Sequence, residues 1–168
     1  MVATASCGGS DSWEETTEWY KANDSWFQQQ VSRQDANGQP YFTVLKPAWN
    51  PTADVLIHYH NDRRLTEGNL SPMLTSTIST QYHLSLYDGT PMDSSYLMTD
   101  SIYTGQLSNM IPGWHVALMD MRCGDSATVV IPYQMGYGAT STSSIPAYSA
   151  LKFEITLVDI PHYETPNY

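Results

Sequence analysis

Few side chains in this chain are placed to do covalent chemistry. His58 and His60 alternate along the apolar run Val55 to His60, so both point to one side of a strand. Two imidazoles at that spacing could hold a metal. No cysteine, glutamate or third histidine lies close by in sequence to complete a tetrahedral set, so no metal or cofactor is expected. The two cysteines are Cys7, in a polar terminal stretch, and Cys123, after an apolar helix. Cys123 reads as a small buried hydrophobe, and no bridge between the two is expected. There is no serine–histidine–aspartate set, no cysteine–histidine pair and no glycine-rich phosphate loop. What remains is an apolar centre, Met110-Ile111-Pro112-Gly113-Trp114. Trp114 is either ordinary core or the floor of a binding site.

The elements around that centre can be read from periodicity. Trp114, Ala117, Leu118 and Met121 make an i, i+3, i+4, i+7 stripe, so Trp114 opens a short inward-facing helix. Pro112 suits its first turn, and Cys123-Gly124 is expected to stop it. Thr77 to Tyr87 is a strand with Tyr82, Leu84 and Leu86 on one face, followed by the Asp88-Gly89 hairpin turn. Asp93-Ser94-Ser95 leaves the next strand, and residues 96 to 109 read as irregular. Ser126 to Ile131 is a strand ended by Pro132, which cannot donate to a ladder. A loop from Gly136 to Tyr148 contains Ile145-Pro146. Ala150 to Ile160 alternates Leu151, Phe153, Ile155 and Leu157 with Lys152, Glu154 and Thr156, a half-buried strand. The tail from Pro161 is expected to fray.

Upstream, residues 13 to 34 are helical by pattern, with Ser12 or Thr16 as the expected cap. Trp19, Asn23, Trp26, Phe27, Gln30 and Val31 form a face suited to docking on the rest of the chain or on a partner. Residues 35 to 40 are a turn cluster, Tyr41 to Lys46 and Val55 to His60 are strands, and 61 to 71 reads as a loop of solvated charges. The sum is an α+β architecture, an antiparallel sheet with one short helix across it.

The order of the motifs resembles the FKBP-type peptidyl-prolyl cis/trans isomerases. A strand with Tyr82 precedes the Asp88-Gly89 turn. Met92-Asp93-Ser94-Ser95, Met110-Ile111-Pro112-Gly113-Trp114, Ile131-Pro132, Tyr137-Gly138, Ile145-Pro146 and Leu151-Lys152-Phe153-Glu154-Ile155 follow in the family's sequence, over roughly residues 82 to 158. The resemblance implies a twisted antiparallel sheet wrapped around one short helix, here with an N-terminal helical extension. It also implies a proline-binding pocket. Tyr82, Asp93, Ile111, Trp114, Tyr137 and Phe153 would be its catalytic residues, and Met92, Met110 and Ile145 would add substrate contacts. In the family Trp114 would lie under the proline ring, while the Ile111 amide and the Tyr137 hydroxyl would bond ligand carbonyls. Asp93 would be the one polar side chain pointing in.

The chemistry fits the missing nucleophile. An Xaa-Pro bond turns over a barrier of about 18–20 kcal/mol because resonance is lost in the twisted state. A dry pocket with well-placed donors can favour that state without a base or a metal. Two departures from the family bear on catalytic strength: Met92 stands where Phe is usual, and residues 97 to 104 are read as lacking the basic residue and the clear aromatic that many members carry there. Tyr59, in His58-Tyr59, competes with Tyr82 for the pocket position. Spacing to the Asp88-Gly89 turn favours Tyr82, because extra residues are then confined to a loop.

A net charge of −10 with seven Lys and Arg argues against nucleic acid and against an anionic membrane surface. No run approaches the roughly 18 apolar residues of a membrane-spanning helix. The low charged fraction, 14%, with many Tyr, Thr and Ser, suits an extracytoplasmic setting. Ala5-Ser6-Cys7-Gly8 resembles a bacterial lipoprotein signal, although neither a basic nor an apolar region precedes it. Cys7 would carry the lipid, and 1–12 would be a flexible tether in the cell envelope. Residues 13–40 would be the helical extension and 41–161 the isomerase domain. The expected function is isomerisation of proline-containing polypeptides during folding of exported proteins, with a macrolide as a second pocket ligand. A second reading is a non-catalytic module of the same fold that holds a peptide or partner with the pocket or the aromatic N-terminal helix, and a third is a structural lipoprotein with a vestigial pocket.

Overall fold

The structure is a computed structural model that describes residues 11–163. Cys7 and most of the expected tether lie outside the described residues. In chain order the elements are α1 (Asp11–Val31), β1 (Thr43–Leu45), β2 (Val55–Tyr59), β3 (Thr77–Leu86), β4 (Pro91–Ser94), β5 (Tyr103–Gln106), α2 (Pro112–Asp120), β6 (Ser126–Ile131) and β7 (Leu151–His162). The seven strands form one antiparallel sheet of order β1-β2-β6-β7-β3-β4, with β5 also on β3. This is the α+β arrangement expected from the motifs.

β7 is the centre of the sheet. It pairs with β6 along one edge, where Val129 faces Phe153, and with β3 along the other, where Leu84 faces Phe153. Its alternation is as read: Leu151, Phe153, Ile155 and Leu157 are buried, all at 3% exposure or less. Of the tail expected to fray, Pro161 and His162 are strand instead, and residues 164–168 lie outside the described residues. β7 continues to His162, which pairs with Thr77, because β3 is long enough to offer it a ladder.

The far edge of β3 is shared. β4 takes its later half, from His83 to Ser85, and β5 its earlier half, from Thr77 to Thr80. Ser95, fully buried, fills the gap between them: its Oγ accepts from the Tyr82 amide at 2.9 Å and donates to Ser101 O at 3.0 Å. The stretch 96 to 109 is therefore less irregular than its sequence suggests. β5 has four residues, mostly polar, too short for alternation to show.

α2 crosses the concave face, where Trp114, Ala117, Leu118 and Met121 are all at least 95% buried. It ends at Asp120, before the Cys123-Gly124 stop, and Met121 is its C-cap. Gly124, at φ 92, instead makes the turn into β6, and Cys123 is only half-buried. Gly113 sets how closely the helix lies. A Cβ there would come within 2.5 Å of the Ile131 side chain on β6, so only glycine permits this approach.

α1 covers the opposite face. Neither Ser12 nor Thr16 caps it; both lie inside the helix, and the Thr16 hydroxyl bonds back to Ser12 O at 2.8 Å. Phe27 packs with Phe42, Leu56 and Val130. Asn23 is buried and its Oδ1 accepts from the Ala150 amide at 2.8 Å, and Trp19 Nε1 donates to Ser149 Oγ at 3.1 Å. Val31, assigned to this face in the sequence, is the last residue of the helix and is 37% exposed instead. Leu56 and Val130 face α1 while Val55, Ile57, Val129 and Ile131 face α2, so the alternating strands feed two apolar layers.

The 61–71 segment is a loop with Asp62, Arg64 and Glu67 exposed, as read, but Asn61, Arg63 and Thr66 turn inward. Asp125, fully buried before β6, accepts from Thr66 Oγ1 (2.6 Å), Asn61 Nδ2 (3.0 Å), the Arg122 amide (2.9 Å) and Arg63 Nε (3.2 Å). The segment is folded around one carboxylate, which meets the need of a buried charge for partners.

Candidate active site

A cleft of about 270 Å³ opens where β3, β4, β5, β7 and the start of α2 converge. Trp114 is its floor, placed there by the Pro112 turn and by the Gly113 approach. Three rings stand nearly perpendicular to the indole: Tyr82 (5.3 Å between centroids, 82°), Phe153 (5.4 Å, 77°) and Tyr103 (6.3 Å, 84°). Edge-to-face contacts of this kind add to ordinary burial. The result is a box with aromatic walls and an open side.

Polar groups line one rim. The Tyr82 hydroxyl donates to Asp93 Oδ2 at 2.7 Å, and Asp93 Oδ1 accepts from the Ser94 amide at 2.8 Å. Among the described residues no cation pairs with Asp93. Tyr137, 40% exposed, stands on the wall with its hydroxyl pKa pushed up by burial and then by the Asp93 charge. Burial, the bond to Asp93 and the charge of Asp93 raise Tyr82 well above the ordinary tyrosine range, and burial raises Tyr103. All three phenols stay protonated, as donors, through neutral pH. Two further donors have no hydrogen-bond partner among the described residues: the buried Trp114 Nε1 and the Ile111 amide at the entry to α2. The site can enclose an apolar ring, strip its water and offer several N–H and O–H groups to a carbonyl.

Tyr82, Asp93, Met110, Ile111, Trp114, Tyr137 and Phe153 line this cleft together. Met92 and Ile145 do not. Met92 is half-buried and packs on the core behind the wall, because alternation along β4 turns it away when Asp93 turns in. Ile145 is buried in the core, tied down where Thr142 Oγ1 accepts from its amide at 2.9 Å. The reading of 97 to 104 as lacking an aromatic is also corrected: Tyr103 is a wall residue. The run Ile102-Tyr103-Thr104 carries β-formers that could have flagged it. Asn109 and Leu84 complete the lining, and no sequence signal marked Asn109. Tyr59 is not in the site. Its hydroxyl donates to Asp120 at 2.5 Å, at the other end of α2. His58 and His60 are also engaged elsewhere: the first bonds Tyr41 O at 2.7 Å and the second Thr128 Oγ1 at 2.8 Å.

A family model described as FKBP-type peptidyl-prolyl cis-trans isomerase matches residues 68–158. The protein of that type named FkpA from Buchnera aphidicola (Schizaphis graminum) is 37% identical over 97 residues, which are 58% of this chain and 38% of that one. The chain thus spans well under half the length of this relative. The crystal structure of FkpA from Escherichia coli overlays with a TM-score of 0.69 at 20% identity, covering 89% of this chain and 64% of that one. A peptidyl-prolyl cis-trans isomerase from Pseudomonas syringae overlays at 0.68 with 21% identity, covering 88% and 96%. At these identities the overlays establish the fold.

Proposed function

The chain belongs to the FKBP-type peptidyl-prolyl cis-trans isomerase family, and from that membership we propose that it accelerates rotation about Xaa-Pro bonds in polypeptides that fold outside the cytoplasm. The observation that carries this reading is the aromatic box on Trp114 beside an unneutralised carboxylate. A proline ring laid on the indole leaves its amide at the rim. In the planar state that amide is stabilised by resonance and by water. Inside the box it loses the water, and the Ile111 amide and the Tyr137 hydroxyl hold a neighbouring carbonyl. The Tyr82–Asp93 pair keeps the wall in place and sets a negative potential beside the twisting bond. Only interactions stronger in the twisted state speed the reaction, so the roles of Tyr82, Asp93, Ile111, Trp114, Tyr137 and Phe153 are differential contacts and not proton transfers.

A protease-coupled assay on a short Xaa-Pro peptide tests this. The expected result is acceleration that Trp114→Leu reduces by an order of magnitude or more and that a macrolide competes away. Peptide binding without acceleration would make the chain a holding module and sink the catalytic reading.

The extracytoplasmic setting rests on composition and on Ala5-Ser6-Cys7-Gly8. Cys7 is the proposed lipid attachment point, with 1–12 as tether, 13–40 as a helix docked on the domain and 41–161 as the isomerase unit. Replacing Cys7 by Ser in the native gene should move the protein out of the detergent phase. Equal recovery of both forms there would remove the lipoprotein assignment.

A further inference from the structure

A second groove lies away from the cleft, between α1 and the segment that follows β6. Its walls are aromatic. Tyr20 meets Tyr133 (5.7 Å, 80°) and Tyr148 (5.6 Å, 75°), and the latter two meet each other (5.3 Å, 68°). Trp13 completes a hollow of about 240 Å³. Trp13 is 75% exposed and Tyr20 37%. On α1, Trp13, Thr16, Thr17 and Tyr20 follow i, i+3, i+4, i+7, and Asp24 continues that stripe one turn further.

Tyr148 is held at φ 63, a left-handed conformation that is strained for a non-glycine residue. Its amide donates to Gly138 O at 2.9 Å. The strain places a ring in an open aromatic cluster and not in the core. Beyond Tyr133 and Tyr148 the groove turns acidic: Asp24 and Asp54 line its continuation. Asp54 Oδ1 is buried with no hydrogen bond, and the Lys46 ammonium is 3.7 Å away.

We propose that this groove docks a proline-rich segment in the extended polyproline conformation, with a basic residue of that segment at the Asp24–Asp54 end. Such segments have no internal hydrogen bonds and are preformed, so little ordering entropy is lost on docking. They seat their rings between tyrosine and tryptophan side chains, whose hydroxyl and N–H rims can meet the exposed carbonyls. The acid end and the net charge of −10 supply complementarity to a cationic flank. The groove is also continuous with the cleft through the chain. Tyr133 and Tyr137 belong to one short segment, and Gly138 donates its amide to Tyr133 O at 2.9 Å. If the isomerase reading holds, a client held in the groove raises the local concentration of its Xaa-Pro bonds at the cleft. The docking itself does not depend on that reading.

The test is calorimetric titration of the full chain with a synthetic oligoproline peptide bearing one terminal arginine. A glycine–serine peptide of equal length and charge is the control. Trp13→Ala and Asp24→Asn are the variants, both at exposed positions outside the cleft. The expected result is binding of oligoproline over the control, weakened about tenfold by Trp13→Ala. Asp24→Asn should weaken the arginine-bearing oligoproline and leave the same oligoproline made without arginine unaffected, and turnover of a short Xaa-Pro peptide should stay unchanged in both variants. Equal oligoproline affinity in wild type and Trp13→Ala would overturn the proposal. So would sedimentation showing self-association that Trp13→Ala abolishes, since that would give the groove to a second copy. Loss of turnover in wild type with groove binding intact would sink the isomerase reading and leave this one standing.

Discussion

Each end of α2 carries a tyrosine bonded to an aspartate, and the two pairs have opposite surroundings. At the start of the helix, Tyr82 donates to Asp93 at 2.7 Å, with no cation among the described residues to balance the carboxylate. At its end, Tyr59 donates to Asp120 at 2.5 Å, and Arg63 answers the charge: its guanidinium sits 4.1 Å from the Tyr59 ring centre and 3.5 Å from Asp120. The same guanidinium reaches Asp125, whose oxygens are met by three further donors. One region answers its carboxylates with a shared guanidinium and several donors; among the described residues the other leaves a carboxylate without a cation, and an indole N–H and a backbone amide without an acceptor. Stability is built at one end and reactivity is kept at the other.

The comparison breaks most sharply at Asp125. Replacing it with alanine should cost about 3–5 kcal/mol in urea unfolding, because Arg63, Thr66 and Asn61 lose their common acceptor. Turnover per folded molecule should not change. Acid sharpens the same point. Burial raises the Asp125 pKa, but bonds from Thr66, Asn61 and the Arg122 amide and the charge of Arg63 more than offset it and hold it below the ordinary 3.8. As pH falls below about 4 the unfolded chain takes up a proton that the folded chain refuses. The contribution is therefore present above that pH and lost as pH falls through the lowered folded value. In Asp125→Asn the acid limb of stability against pH should flatten.

A smaller effect is expected at the contact between α2 and β6. Gly113→Ala should cost about 1–3 kcal/mol by overpacking against Ile131. Unlike Asp125→Ala, it should also lower turnover, because it lifts the floor of the cleft. A normal rate in a destabilised Gly113→Ala would show that Trp114 tolerates displacement.

The two tyrosines offer the closest contrast. Tyr82→Phe and Tyr59→Phe should each cost about 1 kcal/mol in stability. Only Tyr82→Phe should slow peptide isomerisation, seen in kcat more than in KM. Equal rates in the two variants would make both pairs structural. With its hydroxyl pKa raised, Tyr82 also keeps its proton past the ordinary value of 10.0, so the rate should show no alkaline fall below that pH.

The smallest effect belongs to Met92→Phe. Met92 packs behind the wall, so the rate should change less than twofold and stability by about 1 kcal/mol or less. A clear rise in rate would put Met92 back into the cleft.

The sequence made the scaffold legible where periodicity was long. β7, β3 and the α2 stripe show their buried faces in alternation or in i, i+3, i+4 spacing. Tyr82 could be chosen over Tyr59 because a loop absorbs extra residues and a strand does not. The rest depended on contacts distant in sequence. β5 is a strand only because β3 offers it an edge, so Tyr103 was missed. Met92 was placed by its motif neighbours, while β-alternation with Asp93 decided its direction. The 61–71 segment looked solvated because its organising acceptor, Asp125, lies more than fifty residues away. Ile145 was placed in the site with its motif, and the packing of its loop buried it.

The central position of β7 governs how this chain can acquire its structure. β7 is the last strand among the described residues, yet it lies between β6 and β3, so the two halves of the sheet are joined only through it. The pair Thr77–His162 closes a long stretch of chain, and loop closure of that size slows folding. As the chain emerges from the ribosome, β3 and β6 are made with one edge unpaired and wait for residues 151–162. Until then Leu84, Val129 and the indole of Trp114 have no Phe153 to pack on. The sheet therefore cannot close until residues 151–162 are available, and the chain passes through an interval in which its own strand edges are open to misassembly.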